Sequence, residues 1–225
     1  MVLALALLAL LAPAGPSVAG DDHHRQGQSA ARGTTGAEFW QWALAQPASS
    51  NPLLDPTGGL CDVGQTGHAW FLAGYTGGPI TRTCEVPRGT RLVFPVINAF
   101  YGATPGDAPE QSTEAYARSQ VAGLKAGATD LRVTVNGTPL RSSQIRYEES
   151  VVFSVTLPAD NIFGVPAGTV VSPTVDAGYY VTLHPFPPGT HTIHIEGAVE
   201  SAGPPGNFAV NVMYVITVPR GGPRT

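Results

Sequence analysis

Phe208-Ala209-Val210-Asn211-Val212-Met213-Tyr214-Val215-Ile216-Thr217-Val218 decides the fold class of this chain. Side chains of an extended strand point alternately to opposite faces, so Phe208, Val210, Val212, Tyr214, Ile216 and Val218 share one face. Pro219, which lacks an N–H for a sheet ladder, ends the run. Working outward, the same period of two recurs in shorter copies. Tyr179, Val181 and Leu183 alternate with Tyr180, Thr182 and His184; Val151, Phe153, Val155 and Leu157 alternate with Val152, Ser154 and Thr156. Leu131, Val133 and Val135 alternate with Arg132 and Thr134, and Asn136-Gly137 follows, a pair that favours the two-residue hairpin turn. Segments 69–73, 80–86 and 92–97 are short, rich in β-forming residues and bounded by Gly and Pro.

About eight such strands need two packed sheets, so the expected fold is mainly β, a two-sheet β-sandwich. Two helical segments interrupt the pattern. Residues 37–44 place Phe39, Trp40, Ala43 and Leu44 on one face, a short N-terminal helix that caps the core. Between Tyr101 and Gly127, Ala117, Val121 and Leu124 recur at helical spacing behind Asp107 and Glu110, which resemble a capping box, giving one inserted amphipathic helix.

Composition agrees. The chain has 225 residues, enough for one domain with a leader and tails. Its 43% hydrophobic content is globular, while 12% charged residues is about half the usual share, and 27 Gly with 21 Pro fit many turns between short strands. A formal net charge of -4 with dispersed Lys and Arg gives no footprint for nucleic acid, so that partner class is excluded.

The first segment reads as a removable leader. Val2 to Leu11 is an unbroken apolar run of ~10 residues, suited to a signal peptide and too short to span a bilayer. Ser17-Val18-Ala19 supplies the small residues that precede cleavage, expected after Ala19. No positive charge precedes the run, which suggests a start further upstream. The organisation is therefore a signal peptide over 1–19, a disordered linker over 20–36, a β-sandwich domain over 37–219 and a flexible tail over 220–225. No membrane anchor remains after the leader is removed, and the mature protein is expected to be secreted and extracellular.

Cys61 and Cys84 are expected to close a disulfide in that oxidising compartment, with two buried thiols as the alternative. Two cysteines alone cannot supply a four-ligand metal site. Trp70-Phe71-Leu72-Ala73-Gly74, Gly77-Gly78, Arg82-Thr83-Cys84, Val86-Pro87, Phe94-Pro95-Val96-Ile97-Asn98 and Pro187-Pro188-Gly189-Thr190-His191-Thr192-Ile193-His194 together resemble a family of secreted bacterial proteins of uncharacterised activity. That resemblance implies an exported β-rich domain and carries no activity or catalytic residue with it.

Candidate sites are few. His184, His191 and His194 invite a metal reading, but His191 shares a strand face with Ile193 and Ile195, and His194 shares the opposite face with Thr192 and Glu196. If 179–184 and 190–196 form a hairpin, one register brings His184, His194 and Glu196 together as a weak metal candidate against ordinary surface histidines. His23 offers a second, if cleavage after Gly20 makes Asp21-Asp22-His23 the N-terminus, a square-planar copper or nickel motif against a solvated tail. No nucleophile elbow, Cys–His pair or phosphate loop is present, and no cofactor is implied. A hydrolase could use Asp55, Glu85, Asp160 or Asp176, although Asp160 in Pro158-Ala159-Asp160-Asn161 suits a turn. Trp40 and Trp42 cannot share one helix face, so one is exposed or covers a loop, and an exposed Trp42 is the first candidate for a ligand contact. The leading expectation is a binding or structural module with a polysaccharide or cell-surface ligand; the rival is an extracellular hydrolase using carboxylates or a metal.

Overall fold

The computed structural model describes residues 33–66 and 69–221. The leader, the cleavage point after Ala19, His23, the linker up to residue 32 and tail residues 222–225 lie outside the described residues. In chain order the elements are α1 (Thr35–Leu44), β1 (Ala69–Phe71), β2 (Ile80–Glu85), β3 (Arg91–Gly102), α2 (Glu114–Val121), α3 (Gly123–Gly127), β4 (Ala128–Val135), β5 (Thr138–Pro139), β6 (Arg146–Glu149), β7 (Phe153–Thr156), β8 (Val170–Leu183), β9 (Gly189–Val199) and β10 (Phe208–Val218). Two 3-10 turns, Ala48–Ser50 and Ser142–Gln144, join them.

The strands form two sheets, giving the two-sheet sandwich that the alternating patterns predict. The first runs β1-β3-β8-β6 with β7 also on β8; the second runs β2-β10-β9-β4-β5. β1 on β3 and β2 on β10 are parallel, and the other pairings are antiparallel. Between the sheets lies the main core: Leu92, Phe94, Val181 and Leu183 from one side meet Ile193, Ile195, Val212, Tyr214 and Ile216 from the other. The period of two in β10 is thus spent on burial, with Val210, Val212, Tyr214, Ile216 and Val218 all inward.

A bulge redirects one strand. Pro95 pairs with Tyr180 and Ile97 with Tyr179, leaving Val96 as the extra residue. Beyond it the alternation of β3 is inverted, which puts Asn98 and Phe100 on the same face as Tyr180 and Asp176, away from the second sheet. That outer face is covered by α1, whose Phe39, Trp40, Ala43 and Leu44 pack with Phe153, Val155, Leu157 and Val171. On the inner side α2 buries Ala117 and Val121 against Val175 and Ala177.

Three expectations change in detail. The inserted helix begins at Glu114, where the Thr113 hydroxyl accepts the Tyr116 N–H; Asp107 instead closes its own turn by accepting the N–H and hydroxyl of Thr104. β8 reaches back to Val170, and β6 is a strand of four polar and aromatic residues that shows no alternation of apolar with polar. The 179–184 and 190–196 strands do not form a hairpin, because β8 belongs to the first sheet and β9 to the second, and the chain crosses between them through Pro185, Pro187 and Pro188. The Asn136-Gly137 turn is as expected: their φ angles of 50° and 76° are the left-handed pair that the two-residue turn demands, and Val135 pairs with Thr138.

Candidate functional site at the disulfide

The loop from Asn51 to Gln65 is laid along the edge of β2. Asn51 fixes its start, donating to the carbonyls of Ala43 and Gln46 and accepting the Leu53 N–H. Gln65 fixes its end, donating to the carbonyls of Cys61 and Phe71 and accepting the Phe71 N–H. Between them Asp55 folds the chain on itself: Oδ1 accepts the N–H and hydroxyl of Thr57, and Oδ2 accepts the Leu60 N–H. Gly58, with φ 86°, lies so close to Arg82 and Thr83 that a Cβ would run into the Thr83 backbone. The Thr83 N–H donates to the Thr57 carbonyl, and Cys61 is joined to Cys84 of β2. The expected disulfide is therefore formed, and the chain-entropy account gives a loop of this size ~3 kcal/mol of stabilisation.

Beneath this loop Arg82 is buried at 1% exposure. One terminal nitrogen donates to the Ala73 carbonyl at 2.7 Å and the Tyr214 hydroxyl at 2.9 Å, and Tyr214 in turn donates to Ala73. The guanidinium lies over the rings of Tyr75 and Tyr214. Burial raises the Asp55 carboxyl, but the bonds from Thr57 and Leu60 and the charge of Arg82 outweigh it and hold Asp55 below the usual carboxylate range. A cavity of about 10 Å³ lies among Asp55, Gly58, Cys61, Arg82 and Tyr214. Its volume is close to that of one water.

Outside the loop, and sharing Gly58 and Cys61 with that cavity, is an open groove of about 780 Å³. Both cysteines line it, with Trp70, Asp62, Glu85 and Arg88. Thr83 and Thr217 add hydroxyls from neighbouring strands. Trp70 is 8% exposed, and its shielded indole N–H has no partner among the described residues. Comparison with protein-family models, curated proteins and solved structures returned no match.

The remaining candidates lie elsewhere. Trp42 is not exposed: at 7% exposure it stacks on Phe71, 5.5 Å between ring centres, and donates to the Val63 carbonyl. The correction has a simple cause, since α1 is covered on one side by the first sheet and on another by the disulfide loop, so both tryptophan faces are buried. The metal candidates separate likewise. His184 is exposed at the end of the first sheet, while His194 and Glu196 share an outer face of the second. There the His194 Nε2 meets Asn211 Oδ1 at 2.9 Å, and Glu196 lies 3.8 Å from His194 Nδ1 and 3.7 Å from Arg132. No group of three metal-ligating side chains occurs among the described residues.

The four carboxylates named for a hydrolase are also dispersed. Asp160 accepts the N–H of Ser49, which keeps its carboxyl low, and so fixes the distant Ala48–Ser50 turn, while its own turn is held by Asn161. Asp55 is consumed by its loop, and Glu85 lines the groove. Asp176 is fully buried beneath α1. Its Oδ1 accepts from Trp40 Nε1 and Asn98 Nδ2, and its Oδ2 from the Tyr180 hydroxyl. Burial lifts its carboxyl to about 7 despite those three bonds, and the Glu148 charge adds to the rise. Glu148 itself accepts the Thr35 hydroxyl and the Gly36 N–H at the start of α1. This network fastens the helix to the sheet, and nothing in the sequence marks it, because its members come from α1, β3, β6 and β8.

Proposed function

We propose that the chain is exported by its leader and works outside the cell as a binding module, taking a hydroxyl-rich ligand of the carbohydrate class in the groove beside the disulfide. The groove carries this reading: its volume falls within the range of small-ligand sites, and it sets carboxylates, a guanidinium, hydroxyls and an indole around one opening. Acceptors and donors in that mixture suit the hydroxyls of a sugar, and the part of the Trp70 ring that borders the groove adds an apolar contact. The disulfide supports the same compartment.

The test is depletion of the mature protein from solution by insoluble polysaccharides of plant, fungal and bacterial walls, compared with Arg88→Ala and Trp70→Phe. Retention of the wild type on at least one polysaccharide, with a loss of tenfold or more in either variant, is expected. No retention on any, or equal retention of all three proteins, would remove the groove from consideration.

A hydrolase reading draws on one specific observation, that Asp62 and Glu85 both line the groove. Release of reducing ends from the bound polysaccharide, abolished by Asp62→Asn and by Glu85→Gln, would replace the binding module with that enzyme.

A further inference from the structure

The disulfide is an unusual wall for a groove. Cys84 is 5% exposed and faces the core from β2, whereas Cys61 is only partly buried and lines both the groove and the small cavity behind it. Both cysteines border the groove, but Cys61 is the more exposed of the two and is the one a thiolate entering there meets first.

The bond also governs more than its own two residues. The loop is anchored at Asn51 and Gln65, but the stretch between Asp55 and Cys61 reaches the rest of the fold through few other contacts. These are the Thr83 N–H bond to Thr57, the close seat of Gly58 on Arg82 and Thr83, the charge attraction between Asp55 and Arg82, the packing of Cys61 on the core, and the Gln65 bond to the Cys61 carbonyl. Behind that stretch sit the buried Arg82 guanidinium and the edge of β2.

We propose that Cys61–Cys84 is a thiol-addressable latch: a small exported thiol attacks Cys61 from the groove, and release of the bond frees the 55–61 strap from the edge of β2. In the exchange the incoming thiolate sulfur bonds to Cys61 Sγ, and the Sγ–Sγ bond breaks. Its electron pair leaves on Cys84 Sγ, which takes a proton from water. A second thiolate attacks the mixed disulfide at the incoming sulfur, releasing Cys61 as a thiolate. Two thiols are oxidised to one disulfide as the protein gains two electrons. The reaction is independent of what the groove binds, so it stands or falls separately from the carbohydrate reading.

The experiment treats the folded protein with reduced glutathione in the absence of denaturant, quenches with iodoacetamide and maps both cysteines by peptide mass spectrometry. Expected are glutathione on Cys61 and the alkyl group on Cys84, with at least tenfold preference for that arrangement, and a rate proportional to glutathione concentration. The reduced protein, and Cys61→Ser/Cys84→Ser prepared without any thiol, should keep their far-ultraviolet dichroism. Both should gain a protease cut between residues 54 and 62 that the oxidised protein resists. A reduction rate independent of glutathione, glutathione found on Cys84, an uncut strap, or a double serine variant that does not fold would each overturn the proposal.

Discussion

The indole N–H of Trp40 donates to Asp176 Oδ1 at 2.7 Å, joining α1 to a carboxylate that solvent does not reach. The partners are 136 positions apart in sequence. The bulge at Val96 turns Asn98 toward the same face, where it joins them by donating to both Asp176 and Tyr180. The helix thus closes the outer face of the first sheet with a polar network beside an aromatic one, in which Phe39 and Phe100 pack on the Trp40 ring.

That carboxylate makes stability depend on pH in an unusual direction. An unfolded aspartate titrates near 3.8, and burial raises Asp176 to about 7 in the fold. Between those values the folded protein holds a proton that the unfolded chain releases, so stability falls as pH rises from about 4 to about 7 and is level above. The contribution is on the order of a few kcal/mol. Thermal melting from pH 4 to 8 should show this slope in the wild type, and Asp176→Asn should flatten it. A variant slope equal to that of the wild type would assign the effect to other groups.

Gly36 should tolerate no side chain. A Cβ there would run into the Asp176 carboxylate and the Tyr180 hydroxyl, and both are held by other bonds. Gly36→Ala is expected to cost roughly 1 to 3 kcal/mol through overpacking, read from urea unfolding. The same change at Gly59, where the nearest atom is the Thr57 hydroxyl at 3.4 Å, should cost far less.

Arg82 and Asp55 should behave as a coupled pair. Arg82→Met removes the buried bonds to Ala73 and Tyr214 together with the charge that Asp55 feels, so it is expected to destabilise by about 3 kcal/mol. Asp55→Asn should cost less in the Arg82→Met background than in the wild type, with a coupling on the order of 1 kcal/mol. Strict additivity in the double-mutant cycle would mean that the two charges do not interact.

The Asn136-Gly137 turn offers a local test. Gly137 has φ 76° with open space around its Cβ position, so Gly137→Ala strains backbone and nothing else. A loss of about 1 kcal/mol is expected in chemical denaturation. Asn136→Ala should add to the damage elsewhere, since its side-chain oxygen accepts the Thr192 N–H of β9.

Legibility in the sequence followed burial. β10 could be read because its apolar face meets one core, and Cys61 with Cys84 because the chain holds only these two cysteines. β8 was read only in its second half: Ser172, Pro173, Asp176 and Gly178 break the alternation, although the strand runs through all of them. β6 carries Arg146, Glu148 and Glu149, whose charged side chains announce no apolar face. The false hairpin between β8 and β9 arose because alternation locates strands but does not assign them to sheets. For Trp42 the helix pattern leaves two outcomes, exposed or covering a loop, and the second one holds. A helix pattern gives one buried face, and the second cover comes from a loop whose position depends on the disulfide. The groove was invisible, since Trp70, Asp62 and Arg88 are brought together only by that loop and the strand edge it covers.

The parallel seat of β2 beside β10 has a consequence for the order of events in folding. Arg82 and Tyr214 face each other across that pairing although they are 132 positions apart in sequence. Such a contact must wait for nearly the whole chain, and its loop-closure entropy makes it slow to form. The second sheet is therefore a late closure: the latch loop, which rests on β2, has no finished surface to fasten to until the final strand arrives. A chain emerging from a narrow pore would keep this sheet open until its last strand was through, while Cys61 and Cys84, separated by 23 positions, close a far shorter loop.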